Sequence, residues 1–135
     1  MIGVILSNES FPLVSCGSCG QTYPVSGAPF KCDCGGAYDY FRFPGFVELE
    51  KLSSPGLWRY CASLGLPLEA PEISLGEGNT PLLPGKFNGF PVFNKMESQN
   101  PTGSYKDRGS AVLVSFLRSR QVTSAVEDSS GNAGA

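Results

Sequence analysis

No stretch of this 135-residue sequence approaches eighteen consecutive apolar residues, which excludes a membrane-spanning helix. Lys and Arg number 10 against 12 Asp and Glu, a net charge of -2, and they do not cluster. The basic footprint that binds a phosphate backbone is therefore missing, and nucleic acid is not an expected partner. The opening MIGVIL lacks both the basic region and the long apolar core of a secretory signal, and no Arg-rich, Ser-rich transit peptide is present. Cytoplasmic residence is the expectation.

What the chain does have is turn formers and paired cysteines. Its 17 glycines and 11 prolines make about a fifth of the residues, so regular elements should be short. They are spread through apolar segments rather than pooled, which argues for a folded chain. Four of the five cysteines form a CxxC…CxC pattern, Cys16 and Cys19 followed by Cys32 and Cys34, with Gly17, Gly20, Gly35 and Gly36 permitting tight turns. Four thiolates brought together can surround Zn²⁺ tetrahedrally, leaving no open position for substrate, so the expected role is structural. Buried free thiols or a redox pair are the alternatives. Cys61 stands apart and is expected in the core.

Three segments follow from the pattern. Residues 1–45 form a cysteine-rich, zinc-ribbon-like β module, in which Val14, Tyr23, Val25, Phe30 and Tyr38 are spaced as in a small meander. Residues 46–90 form a lead-in, with a short helix carried by Leu57, Trp58, Tyr60, Cys61 and Leu64, then an irregular stretch marked by Pro67, Pro71 and Pro81. Residues 91–135 begin an α/β core. A buried strand over Val92–Met96 leads to a turn at 100–103 and a helix over 106–120 that is apolar nearly all round. A second strand at Val122–Val126 completes a βαβ unit, the building block of a parallel sheet. The run SSGNAGA at 129–135 opens another helix without its body, so the chain reads as cut.

The richest stretch is NPTGSYKDRG at 100–109. It places Lys106 at a positive helix end beside an apolar core, surroundings that disfavour the protonated amine and suit Schiff-base chemistry. On these residues alone, a solvated turn lysine with Asp107 and Arg108 as surface charges is the simpler reading. The stretch resembles, however, the cofactor-lysine segment of fold-type II pyridoxal phosphate enzymes in its threonine synthase version. Three further segments agree in order: the Cys16–Gly36 cluster, LWRY at 57–60 with SLGEGNTPL at 74–82, and SSGNA at 129–133.

The resemblance implies a lyase that converts O-phospho-L-homoserine and water to L-threonine and phosphate, with pyridoxal 5'-phosphate held on Lys106 as a Schiff base. It implies that Lys106 then moves protons, that Asn132 bonds the cofactor's ring hydroxyl, and that Ser129, Ser130 and Gly131 hold the substrate carboxylate. Small residues at a helix N-terminus present free N–H groups to an anion, which supports that last role independently, although simple N-capping has the same geometry. Ser104 is a further substrate-side candidate. The resemblance also implies a later loop for the cofactor phosphate and a second lobe, neither within residues 1–135, so this stretch by itself is expected to be inactive. Two other readings remain: a zinc-ribbon regulatory module carrying a remnant lysine segment, or a related fold-type II enzyme acting on another amino acid.

Overall fold

The computed structural model describes residues 13–43, 45, 55–67, 69–129 and 131. Strand β1 (Val14–Cys16) pairs antiparallel with β2 (Tyr38–Tyr40), Val14 opposite Tyr40 and Cys16 opposite Tyr38. A single bridge from Ser15 to Thr22 folds the first cysteine turn back onto β1. The expected meander is reduced to this pair. Val25 and Phe30 are exposed and lie in no ladder, since Pro24 and Pro29 remove ladder donors beside them.

Gly56–Ser63 forms the expected short helix, closed by the Leu64 N–H on the Cys61 carbonyl. It is a 3-10 helix, however, with three residues per turn rather than 3.6. Leu57 and Trp58 stay buried, but the tighter winding carries Cys61 to the surface, against the expectation of a core residue. The helix starts against a turn at Glu77-Gly78, where the Leu57 N–H donates to the Glu77 carbonyl at 3.1 Å. Gly78 is required there. Its φ is 93°, and a Cβ would stand 2.6 Å from the Leu57 nitrogen.

Strands β3 (Leu82–Phe87) and β4 (Phe90–Lys95) make an antiparallel hairpin, registered from Leu82 opposite Lys95 to Phe87 opposite Phe90. Asn88 and Gly89 close it with φ of 48° and 84°, the left-handed pair that a two-residue hairpin turn demands. The hairpin joins residues on both sides of position 90, and β4 begins two residues before the expected strand. That strand was expected to be buried; Phe93, Asn94 and Lys95 within it are exposed.

Helix α1 (Lys106–Ser119) matches the expected helix over 106–120. Its surface is less apolar in contact than the composition suggests, since Leu113 and Val114 are exposed while Ser115 is fully buried. The Ser115 Oγ accepts the Ile73 N–H at 3.1 Å, so a small side chain lets the segment before Ser74 lie against the helix. The expected βαβ unit is not formed among the described residues. Val122–Val126 carries no ladder, and the Val122 N–H is committed to the Leu117 carbonyl in closing α1. The mixture of short strands and helix holds, but its pairings are antiparallel rather than parallel. Arg120 joins the cysteine module to α1: it donates to the Pro24 carbonyl at 2.9 Å and lies over the rings of Tyr23 and Phe116.

Candidate functional site

The segment before α1 is organised by Asn100, which is buried. Its Oδ1 accepts the Gly78 N–H at 2.9 Å, and its Nδ2 donates to the Glu97 carbonyl and to Glu97 Oε2, each at 2.9 Å. One side chain thus ties the turn beneath the 3-10 helix to the turn that delivers the lysine. The backbone then folds through Gly103 N–H to the Asn100 carbonyl at 2.8 Å. Asp107 accepts the Thr102 N–H at 2.8 Å and the Thr102 hydroxyl, an acid placed in the first turn of α1 where the helix dipole favours it.

Lys106 is the first residue of α1, and its N–H donates to the buried Ser104 Oγ at 3.2 Å. Its side chain is exposed and has no hydrogen-bond or ion-pair partner among the described residues. The helix-end position is as expected, but the desolvating surroundings are absent, because α1 turns its buried Ser115 face elsewhere.

Arg108 forms an ion pair rather than acting as a loose surface charge. Its Nε meets Glu97 Oε2 at 2.9 Å and its NH2 meets Oε1 at 3.0 Å, a bidentate fork. Thr80 Oγ1 donates to Glu97 Oε1 at 2.7 Å, and the Lys95 Nζ donates to the Thr80 carbonyl. Hydrogen bonding from Arg108, then from Thr80, holds the Glu97 carboxyl down at about 2. These residues, with Gly56, Arg59, Tyr60 and Asn79, line a polar cleft of about 410 Å³. Sequence reasoning missed the cleft; the only signal was an arginine two residues after the lysine. Ser129 and Gly131 form a local turn, Ser129 Oγ accepting the Gly131 N–H and donating to its carbonyl, each at 3.1 Å. No hydrogen bond joins them to the lysine segment among the described residues, and Ser130 and Asn132 lie outside those residues.

The four cysteines do converge. The sulfurs of Cys16, Cys19, Cys32 and Cys34 all lie within 4.8 Å of one another, with Cys16 to Cys34 at 3.5 Å and Cys19 to Cys32 at 3.7 Å. Tetrahedral sulfurs about 2.3 Å from a zinc stand about 3.8 Å apart, whereas a disulfide closes to about 2.05 Å. The spacing fits a metal and not a bridge. Gly36 packs against this cluster so closely that a Cβ would fall 2.6 Å from Cys16 Sγ. Backbone N–H groups of Cys19 and Ser18 lower Cys16 to about 6. The Gly36 N–H draws Cys34 down, but the neighbouring sulfurs outweigh it and push that thiol up to about 12. Clustered thiols oppose one another's ionisation, and a divalent cation removes the opposition.

Residues 73–135, which hold the lysine and its whole hydrogen-bonded surround apart from the 3-10 helix, match the model of the pyridoxal-phosphate dependent enzyme family. Within that class the chain is a relative of the threonine synthases. The threonine synthase of Methanocaldococcus jannaschii is 40% identical over 113 residues, covering 76% of this chain and 28% of that protein. That of Methanosarcina acetivorans is 32% identical over 132 residues, covering 90% and 32%. That of Bacillus sp. is 37% identical over 83 residues, covering 58% and 24%. The chain thus spans about a third or less of the curated relatives it matches. No solved structure matches.

Proposed function

We propose that this chain carries the lysine-bearing part of a threonine synthase-type lyase, which converts O-phospho-L-homoserine and water to L-threonine and phosphate. The observation that carries the reading is Lys106 itself. It lies in the segment that matches the pyridoxal-phosphate dependent enzyme family, at the start of α1, with an exposed amine that no carboxylate engages among the described residues. A lysine that must condense with an aldehyde has to be free in this way, so the residues present fit pyridoxal 5'-phosphate. When bound, that cofactor supplies an electron sink for carbanions next to its attachment point.

The chain's own residues supply position and protons. Lys106 holds the cofactor and afterwards gives and takes protons at its Nζ. Ser104, fixed beneath the Lys106 N–H, borders the substrate. Ser129, Ser130 and Gly131 receive the substrate carboxylate, and Asn132 takes the ring hydroxyl. Cys16, Cys19, Cys32 and Cys34 hold a structural zinc, a reading supported by the sulfur spacing and the closed coordination shell. Residues 1–135 alone do not turn over substrate on this reading, because the loop for the cofactor phosphate lies elsewhere.

The test is reduction with borohydride in the presence of pyridoxal phosphate, followed by peptide mass mapping of the polypeptide as its source makes it. The pyridoxyl mass is expected on Lys106 and is lost in Lys106→Ala. A label confined to other lysines sinks the assignment.

A further inference from the structure

We infer that the four-cysteine cluster is a modification site for hydroperoxides, which exchange its metal for two disulfides, Cys16 to Cys34 and Cys19 to Cys32. The inference rests on the reading that these cysteines hold zinc, and adds a chemistry to it. The four sulfurs are not equivalent. Cys16 and Cys32 are buried, 2% and 4% exposed, whereas Cys19 and Cys34 are exposed. Each buried sulfur lies against an exposed one, Cys16 by Cys34 at 3.5 Å and Cys32 by Cys19 at 3.7 Å. The cluster is therefore one arrangement made twice, an accessible sulfur with a shielded sulfur behind it. A metal holds all four as thiolates, the form that reacts. An accessible thiolate poised next to a resolving cysteine is what peroxide chemistry requires.

The accessible thiolate attacks the outer oxygen of the hydroperoxide. The O–O bond breaks, the alkoxide leaves and takes a proton from water, and the sulfur becomes a sulfenic acid. The buried thiolate then attacks that sulfur and displaces hydroxide, which takes a proton and leaves as water. Each pair gives two electrons to one hydroperoxide, which ends as one alcohol and one water. A disulfide sulfur no longer carries the charge that held the cation, so Zn²⁺ leaves as its ligands pair off. Closure brings each pair together by about 1.5 Å, from 3.5 Å and 3.7 Å to a bond of about 2.05 Å. The turns have room to give. Gly20 and Gly35 have φ of 76° and 85°, and nothing lies within 4 Å of a Cβ built at either. Both bonds join the first cysteine turn to the second, so they clasp the same two turns that the metal clasps. Cys61 is exposed but lies outside the cluster, which makes it the internal comparison.

The full-length polypeptide, loaded with zinc, is treated with hydrogen peroxide and separately with tert-butyl hydroperoxide. Free zinc is followed with a chromophoric chelator, and disulfides are mapped by tandem mass spectrometry of unreduced peptides. One zinc is expected to leave for every two disulfides, with Cys16 joined to Cys34 and Cys19 to Cys32. Dithiothreitol with added zinc should restore the parent mass and metal content. Cys61→Ser should release zinc at the parent's rate. Cys19→Ser should form the Cys16 to Cys34 bond alone and leave Cys32 reduced. Any other pairing in the parent overturns the inference, and so does zinc that leaves while the thiols pass on to sulfinic acid. Oxidation of Cys61 while the cluster keeps its metal overturns it as well. Zinc is measured before peroxide is added, so a polypeptide that takes up no metal fails the zinc reading by itself, and the disulfide map still decides this one.

Discussion

Glu97 accepts hydrogen bonds from three side chains while still about a quarter exposed, and its acidity records the arrangement. Its folded value of about 2 lies below the ordinary 4.5, so the stabilisation it brings is complete above about pH 4.5 and disappears as pH falls through about 2. Glu97→Gln should therefore lower the denaturation midpoint at neutral pH and flatten its acid limb between those values. Parallel pH profiles for the two proteins would show that the Arg108 fork contributes nothing to stability. The side chains in this network were the least legible in the sequence. Arg108 and Glu97 are separated by 11 positions and Arg108 and Thr80 by 28, distances at which no local periodicity pairs residues. Lys106 stood out because a Pro/Gly turn ran straight into an apolar helix, which is a local pattern.

At the scale of elements, turns decide most of what is built. Gly78 lets the 3-10 helix approach the Glu77 carbonyl, and its positive φ and close backbone contact leave no room for a side chain. Gly78→Ala should cost about 2 kcal/mol or more in chemical denaturation, since a non-glycine residue is strained there and the Leu57 backbone cannot retreat cheaply. A loss within about 0.5 kcal/mol, the scale of an ordinary surface change, would refute the close approach. The β3–β4 hairpin was present in the sequence as Asn88-Gly89 between apolar runs, and it was obscured by Pro84 and Pro91 on either side. Val122–Val126 misled in the opposite sense. Its β-branched composition suggests a strand, but a ladder requires a neighbour, and composition says nothing about where that neighbour is. The 3-10 winding of Gly56–Ser63 was equally invisible, because an apolar stripe over two turns fits both helical periods.

Among the described residues, two small sheets, the 3-10 helix and α1 are joined through polar hubs more than through a broad apolar interior. Phe87, Phe90 and Phe93 of the hairpin stay 69%, 72% and 71% exposed, the first two as a cross-strand pair and Phe93 on the other face, in a chain that spans under a third of its Methanocaldococcus relative. The cysteine module has little core of its own, since Cys16 and Cys32 are its only buried hydrophobic residues among those described. A module of that kind depends on its staple. Metal analysis should find one zinc per chain, and a strong chelator should lower the thermal midpoint and loosen the Arg120 contact with Tyr23, read as a change in tyrosine fluorescence. Unchanged melting after complete metal removal would mean that the thiols do not hold the module together.

The closeness of the four thiols along the chain also orders events in time. Cys16 and Cys34 are 18 positions apart, and the Gly36 that packs on Cys16 follows at once. A ribosome adding about 5–20 residues per second therefore exposes every sulfur several seconds before Lys106 is polymerised. The four thiols can therefore find one another while the rest of the polypeptide does not yet exist.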